Sequence, residues 1–598
     1  MLALFLLPLS AAHASPLTDA VTQANHLKLY QSPKWQALLH LRDGTPQIID
    51  KQFLLSHHQF TLQAEMTKTL ELFHQQPLAA TCRFPARLLF LSQHLALPTL
   101  DLTNNSQCPE FQKYRQHVPF DQVSLVFASE VLSSAASMMG HSFMKVSGKN
   151  IRENDVEHSI SFFSEFHTLN PFRLIYDGMV GGMEGFFIVR PYTVDADIYA
   201  KKEGRNLWTY QLALDDYNKQ LIKYHIWELK GLDIQYLFQS YNCATLTLYI
   251  LSIAKPELKD QEIFFVSPID VIKAATKHGM IEHKTVTLGA DWELNMLTQE
   301  MDDGLIATID AWVFNGKTTD VNALPQTDAL LAKQYISLLL NNQDIVSQLP
   351  SPRISALKEV IASFDKSQLT IDLTEYKDPV KSPQDSAVEL TLHHAANQSL
   401  IDFSFLPASH SLTNDNRQYF SESELKIAEL TLRANIDEKS LKIQSLDLYS
   451  VKSYLPISNT ASPLSGSFYL GYHHMLDQQL DSKGIAEIAF AAGKTTRIHK
   501  DIMLYGMMGL GFATNLKDSF AYVEPHVGAI INVVGNGKAI AEYRASYGQF
   551  SSSHIKQSLS LTYALYGIDN STLSLKAKTT TLNNLRHNEL SLGWAYHF

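Results

Sequence analysis

The sequence has no cluster of basic residues. Its net charge is −11, and phosphate binding needs grouped Lys and Arg, so nucleic acid is excluded as a partner. Beyond the first residues, no apolar run reaches the ~18 residues of a membrane helix. No Walker loop or dinucleotide fingerprint is present. His57-His58 and His473-His474 stand without the spaced carboxylates and thiolates of a metal site, so neither a metal nor a cofactor is expected. Cysteine is scarce, with three in 598 residues.

What is present points to an exported, folded, multidomain chain. Hydrophobic content of 45% and charged content of 18% fit folded protein. The length calls for two or more domains. Met1 to Leu9 is a short apolar run, and Ala12-His13-Ala14 follows before Ser15. This has the form of a secretory signal peptide over residues 1–14. An oxidising compartment favours pairing of thiols, and Cys82 with Cys108 is the natural pair. Cys243 is then left over, which invites a functional reading.

The texture changes along the chain. Residues 20–120 read as a helical N-terminal domain, with Trp35, Leu38, Leu39 and Leu41 on one face and Pro85 opening a helix. Residues 121–290 read as an α+β module. Its strands are expected at Val123–Ala128, His141–Val146, Glu157–Phe163, Phe186–Arg190 and Leu207–Leu212, with a helix from Cys243 to about Ala254. Residues 291–385 read as helices and linker. From 386 to 598 the period becomes two. Leu559, Leu561, Tyr563 and Leu565 alternate with Ser558, Ser560, Thr562 and Ala564, and Gly535-Asn536-Gly537 marks a hairpin. Template matching gives about 12 antiparallel strands, a β-barrel ending in aromatic Phe598. A soluble β-sandwich shares the alternation, and Pro525 inside a strand-like run is an objection to a barrel.

The chemistry centres on Cys243 and His141. A thiol at a helix start lies beside unpaired N–H groups, whose partial positive charge favours thiolate. An imidazole on a strand can serve as its base, since such partners meet in space and not in sequence. Gly140 before His141 permits close backbone approach. A third group should orient the imidazole. His158 is the first choice and Ser161 the alternative, because a separation of three on a strand puts them on opposite faces. Asn242 either caps the helix or aims its amide at a developing oxyanion. Tyr241, Gly140 and Ser137 complete the candidate substrate and oxyanion support.

These segments resemble a known family. Ser137 to Lys145, with Gly-His-Ser-Phe inside, resembles the first motif of the Lnb-type periplasmic domain. Gly181 to Phe186 followed by Arg190-Pro191-Tyr192 resembles its second, and Trp227 to Gly231 through Asn242-Cys243 its third. Cys82 to Arg87 resembles the helical region that often precedes it. The sequence departs from the pattern at Met183-Glu184 and Ala244-Thr245. The resemblance implies a circularly permuted papain-like fold, akin to NlpC-type peptidases and lecithin retinol acyltransferase. It implies Cys243 as nucleophile and His141 as base.

The function expected is therefore a cell-envelope cysteine acyltransferase, in the periplasm or outer membrane of a Gram-negative bacterium. It would form a thioester on Cys243 and pass an acyl group from phospholipid to a lipoprotein amino terminus. Two alternatives stand beside it. One is a cysteine hydrolase acting on peptidoglycan or a lipid ester. The other is a non-enzymatic outer-membrane scaffold or channel.

Overall fold

The computed structural model describes residues 17–97, 107–130, 139–165, 173, 176–261, 265–362, 364–365, 377–395, 398–457, 462–533, 535–568 and 570–598. Residues 1–14, where a signal peptide is expected, and Ser137 lie outside the described residues. The chain forms two compact units. The first takes in the described residues up to Ala128, His141–Ile198 and Trp208–Thr285; the second takes in those of 129–140, Tyr199–Leu207 and Val286–Phe598.

The first unit opens on short helices, including Pro77–Arg83 and Pro85–Leu91, each with Pro in its first turn, where the missing N–H breaks no bond. A small hairpin, Leu41–Arg42 on Thr45–Pro46, interrupts the expected run of helices. Cys82 and Cys108 form a disulfide with Cα atoms 5.2 Å apart. A seven-stranded sheet follows. Its strands are β1 (Gln122–Ala128), β2 (His141–Lys149), β3 (Asp155–Ser164), β4 (Met183–Pro191), β5 (Leu207–Leu212), β6 (Ile234–Tyr236) and β7 (Ile281–Thr287), in the order β6-β4-β3-β2-β1-β5-β7. All residues of β1 after Gln122 are buried, as a strand covered on both faces requires.

The helix Cys243–Ser252 packs against β2 and β3, and the helix Pro268–Lys277 against β1 and β2. Every residue of the Cys243 helix is buried. Such a helix draws its stability from packing: burying Leu246, Leu248, Ile250 and Leu251 contributes about 1.5–3 kcal/mol each.

In the second unit, helices between Ala290 and Ile361 enclose a core that includes Leu297, Ile309, Trp312, Tyr335, Ile336 and Leu339. Then comes the barrel. Its strands are β8 (Ala387–Ala395), β9 (Gln398–Leu406), β10 (Ser423–Asn435), β11 (Ser440–Ser453), β12 (Ser465–Leu476), β13 (Ser482–His499), β14 (Ile502–Thr514), β15 (Ser519–Val533), β16 (Gly537–Ser546), β17 (Lys556–Ile568), β18 (Ser571–Leu582) and β19 (Leu585–His597). Each pairs antiparallel with its neighbours in sequence, and β19 pairs with β8 from His597↔Ala387 to Glu589↔Ala395, which closes a ring of twelve. The sandwich alternative fails on this closure. Pro525 sits where the ladder between β15 and β16 breaks, between the bridge Val523↔Tyr547 and the pair His526↔Arg544, so its missing N–H interrupts no bond.

The alternation sorts the barrel wall. On β14, Met503, Tyr505 and Met507 are buried inward, while Met508, Leu510 and Phe512 are more than half exposed. On β19, Leu590, Leu592, Trp594 and Tyr596 are also exposed. An outer wall of large apolar side chains is what lipid requires. Among the described residues no helix is long and apolar enough to cross a membrane.

Candidate functional site

Cys243 is the first residue of its helix and a free, buried cysteine. Asn242 caps the helix. Its Oδ1 accepts from the N–H of Ala244 and of Thr245, and Thr245 Oγ1 accepts from the N–H of Asn242 at 2.6 Å. Its Nδ2 donates to Phe238 O and to Val266 O. Both amide hydrogens are thus committed, and Asn242 acts as the cap and not as an oxyanion donor.

Four hydrogen-bonding groups act on the thiol: the backbone N–H groups of Ser142, Ala244 and Cys243 itself, and the hydroxyl of Tyr236. Pairing of β2 with β3 begins only at Met144, so Ser142 has its N–H free of that ladder. The structure therefore brings the sulfur to the residue that follows His141. Gly140, with φ 76°, makes the left-handed turn from which β2 starts. The His141 ring stacks on Phe143 with centroids 5.8 Å apart.

The electrostatics differ from the expected activated thiolate. Burial raises the Cys243 pKa, and the hydrogen bonds from Ser142, Tyr236, Ala244 and Cys243 itself oppose it without cancelling it. Burial likewise pushes the Tyr236 phenol well above its ordinary value, so it stays a neutral donor.

His158 and Ser161 part company. His158 is opposite Val146, five residues along β2 from His141, or about 16 Å at ~3.3 Å per residue. It also faces the other side of the sheet, so the structure does not bring it to His141. Burial lowers its pKa. Ser159 pairs with Lys145, so alternation puts Ser161 on the face that carries His141 and Phe143. Its hydroxyl is buried and, among the described residues, has no hydrogen-bond partner.

Tyr241 is buried. Its hydroxyl meets His40 Nδ1 at 2.6 Å, and His40 Nε2 meets His225 Nε2 at 2.7 Å. One of those two nitrogens must carry the shared hydrogen. Glu228 follows, accepting the N–H groups of Ala86 and Arg87 at Oε1. Arg87 reaches on to Glu65 at 2.8 Å. This fully buried chain ties the N-terminal helices to the residue two before Cys243. Sequence reasoning missed it and missed Tyr236. The residues are scattered along the chain and carry no spacing signal. Among the described residues no His, Cys, Asp and Glu group could hold a metal ion.

Residues 110–278 match the profile of the Lnb N-terminal periplasmic domain. The chain is similar to that family over this region. The region contains Cys243, His141, Ser142, Tyr236 and Ser161. Residues 27–94 and 377–597 match two further families, each described as a domain of unknown function, DUF7843 and DUF7840. No curated protein matches the chain. Among solved structures, the barrel is similar to an anion-selective porin from Comamonas acidovorans at 8% identity and TM-score 0.20, covering 36% of this chain and 98% of that one. It is similar to the KdgM porin at 7% identity and TM-score 0.22, covering 36% and 99%. It is also similar to the NanC porin at 5% identity and TM-score 0.23, covering 35% and 100%. The Lnb-like region and the closed, apolar-walled barrel make this a protein of the Gram-negative periplasm and outer membrane.

Proposed function

We propose that the Lnb-like region is a cysteine acyltransferase of the cell envelope, with Cys243 as nucleophile and His141 as base. The observation that carries this reading is the placement of Cys243 Sγ against the N–H of Ser142, next to His141, at the first turn of a buried helix.

In the proposed cycle the imidazole turns about its Cα–Cβ bond to take the thiol proton. The thiolate attacks the carbonyl carbon of a phospholipid ester. The carbonyl oxygen gains negative charge and is stabilised by a nearby N–H donor. The ester C–O bond breaks, and the leaving alkoxide takes the proton from imidazolium, releasing lysophospholipid. A primary amine, such as a lipoprotein amino terminus, then attacks the thioester. His141 takes the amine's proton and returns it to the departing thiolate, leaving an amide. Ser161 replaces His158 in this reading as the polar neighbour on the imidazole's face. A circularly permuted papain-like arrangement accords with the helix-on-sheet placement of the thiol.

The test is incubation of the purified protein with labelled phospholipid and an amine-bearing acceptor peptide. Label is expected on the peptide with wild type and not with Cys243→Ala. Transfer by the alanine variant contradicts the mechanism.

The burial and raised pKa of Cys243 favour a second reading, a non-enzymatic envelope scaffold. That reading predicts that neither acyl transfer nor hydrolysis of cell-wall fragments or lipid esters is detected.

A further inference from the structure

The barrel is crossed by its own chain. Residues 411–422 lead from β9, by way of the short strand Ala408–His410, back to β10. In a ring running from β8 to β19, the wall opposite β9 and β10 is β15 and β16. Leu412 belongs to one buried cluster with Met503, Tyr505 and Met507 of β14 and Ile530 of β15. Lys538 of β16 donates to Leu412 O at 3.1 Å, to Asn414 O at 2.9 Å and to Glu422 Oε2 at 2.6 Å. Tyr566 of β17 donates to Asn414 O at 2.9 Å. The segment thus leaves one wall and is held at the other.

A connecting loop ordinarily runs over the surface, because its backbone needs water. Here Leu412, Asn414, Asn416, Ser421 and Glu422 are buried, and Lys538 is 0% exposed. An ammonium has three hydrogens, and the three acceptors account for all of them. A lysine without water is tolerated only when paired in this way. Side chains of the wall fill further space. Arg544 bridges Glu524 and Glu542, Tyr505 donates to Glu542, and Arg433 grips Asp402 with two bonds.

We propose that residues 411–422 are a plug, latched by Lys538 on Glu422, and that the barrel is a sealed membrane anchor and not an open pore. The likeness to porins in strand path does not extend to an open lumen. This proposal stands apart from the acyl-transfer reading, since it rests on the barrel alone.

The experiment is ion conductance of the full-length protein in planar lipid bilayers, with barrel folding followed by heat-modifiable gel migration. Wild type is expected to give no steady current. Replacing Thr413–Ser421 by a short Gly-Ser turn is expected to give steady openings. Lys538→Met combined with Glu422→Gln is expected to give brief, flickering ones. Steady current from wild type overturns the proposal, and so does a folded deletion variant as silent as wild type. If the deletion does not fold, swelling of proteoliposomes in a small sugar decides with the two point substitutions. Faster swelling than wild type supports the plug; equal swelling overturns it.

Discussion

The backbone N–H of Ser142 is aimed at the sulfur of Cys243. Every donor around that sulfur lowers the energy of thiolate, while burial raises it. The thiol therefore rests protonated, and its reactivity depends on the balance between its donors and its burial.

Tyr236 is the donor that can be removed without touching the backbone. A hydrogen bond to a charged group is worth about 1.5–3 kcal/mol, or roughly one to two pKa units. Tyr236→Phe is expected to move the midpoint of Cys243 labelling by iodoacetamide upward by about that much. A downward shift would mean that the hydroxyl does not donate to the sulfur.

The His40–His225 pair makes the fold sensitive to acid. Burial depresses both pKa values, with Lys259 and Arg87 among the adding charges and Glu228 opposing at His225. Both imidazoles are therefore neutral in the folded state, while the unfolded chain protonates them below about pH 6.5. Stability is full above that pH and falls as acid is added, because the unfolded state binds more protons. The melting temperature of the first unit is expected to drop between pH 7.5 and 5.5, and less steeply in His225→Gln. An equal slope in the variant contradicts the assignment.

The disulfide has a separable effect. Cys82 and Cys108 are 26 residues apart, and closing a loop of that length stabilises by about 3–4 kcal/mol in the chain-entropy account. Cys82→Ala with Cys108→Ala is expected to lower the melting temperature by on the order of 10 °C. An unchanged melting temperature contradicts it.

The period-two run from Leu559 to Leu565 was readable as a strand because each residue's neighbour faces the other side of one wall. The barrel was legible for that reason, and strands β1 to β5 were legible from apolar runs bounded by turns. The Cys243 helix was legible from its unbroken apolar run and its Asn242 cap. The choice between His158 and Ser161 was not, because it depends on the register of β3 on β2, which no local pattern specifies. Nor was burial of the thiol: a helix start attracts thiolate in isolation, and only packing shows that desolvation wins. The Tyr241–His40–His225 chain and the plug segment join residues far apart in sequence, so no spacing could announce them.

The most direct test of the central claim is intact-mass spectrometry of the protein after incubation with phospholipid and no acceptor. Wild type is expected to gain one acyl group, removable by neutral hydroxylamine as a thioester is. His141→Ala is expected to gain it at least ~100-fold more slowly, in line with loss of a general base. An acyl group that persists in Cys243→Ala, or wild type that never acquires one while the fold is intact, contradicts the account.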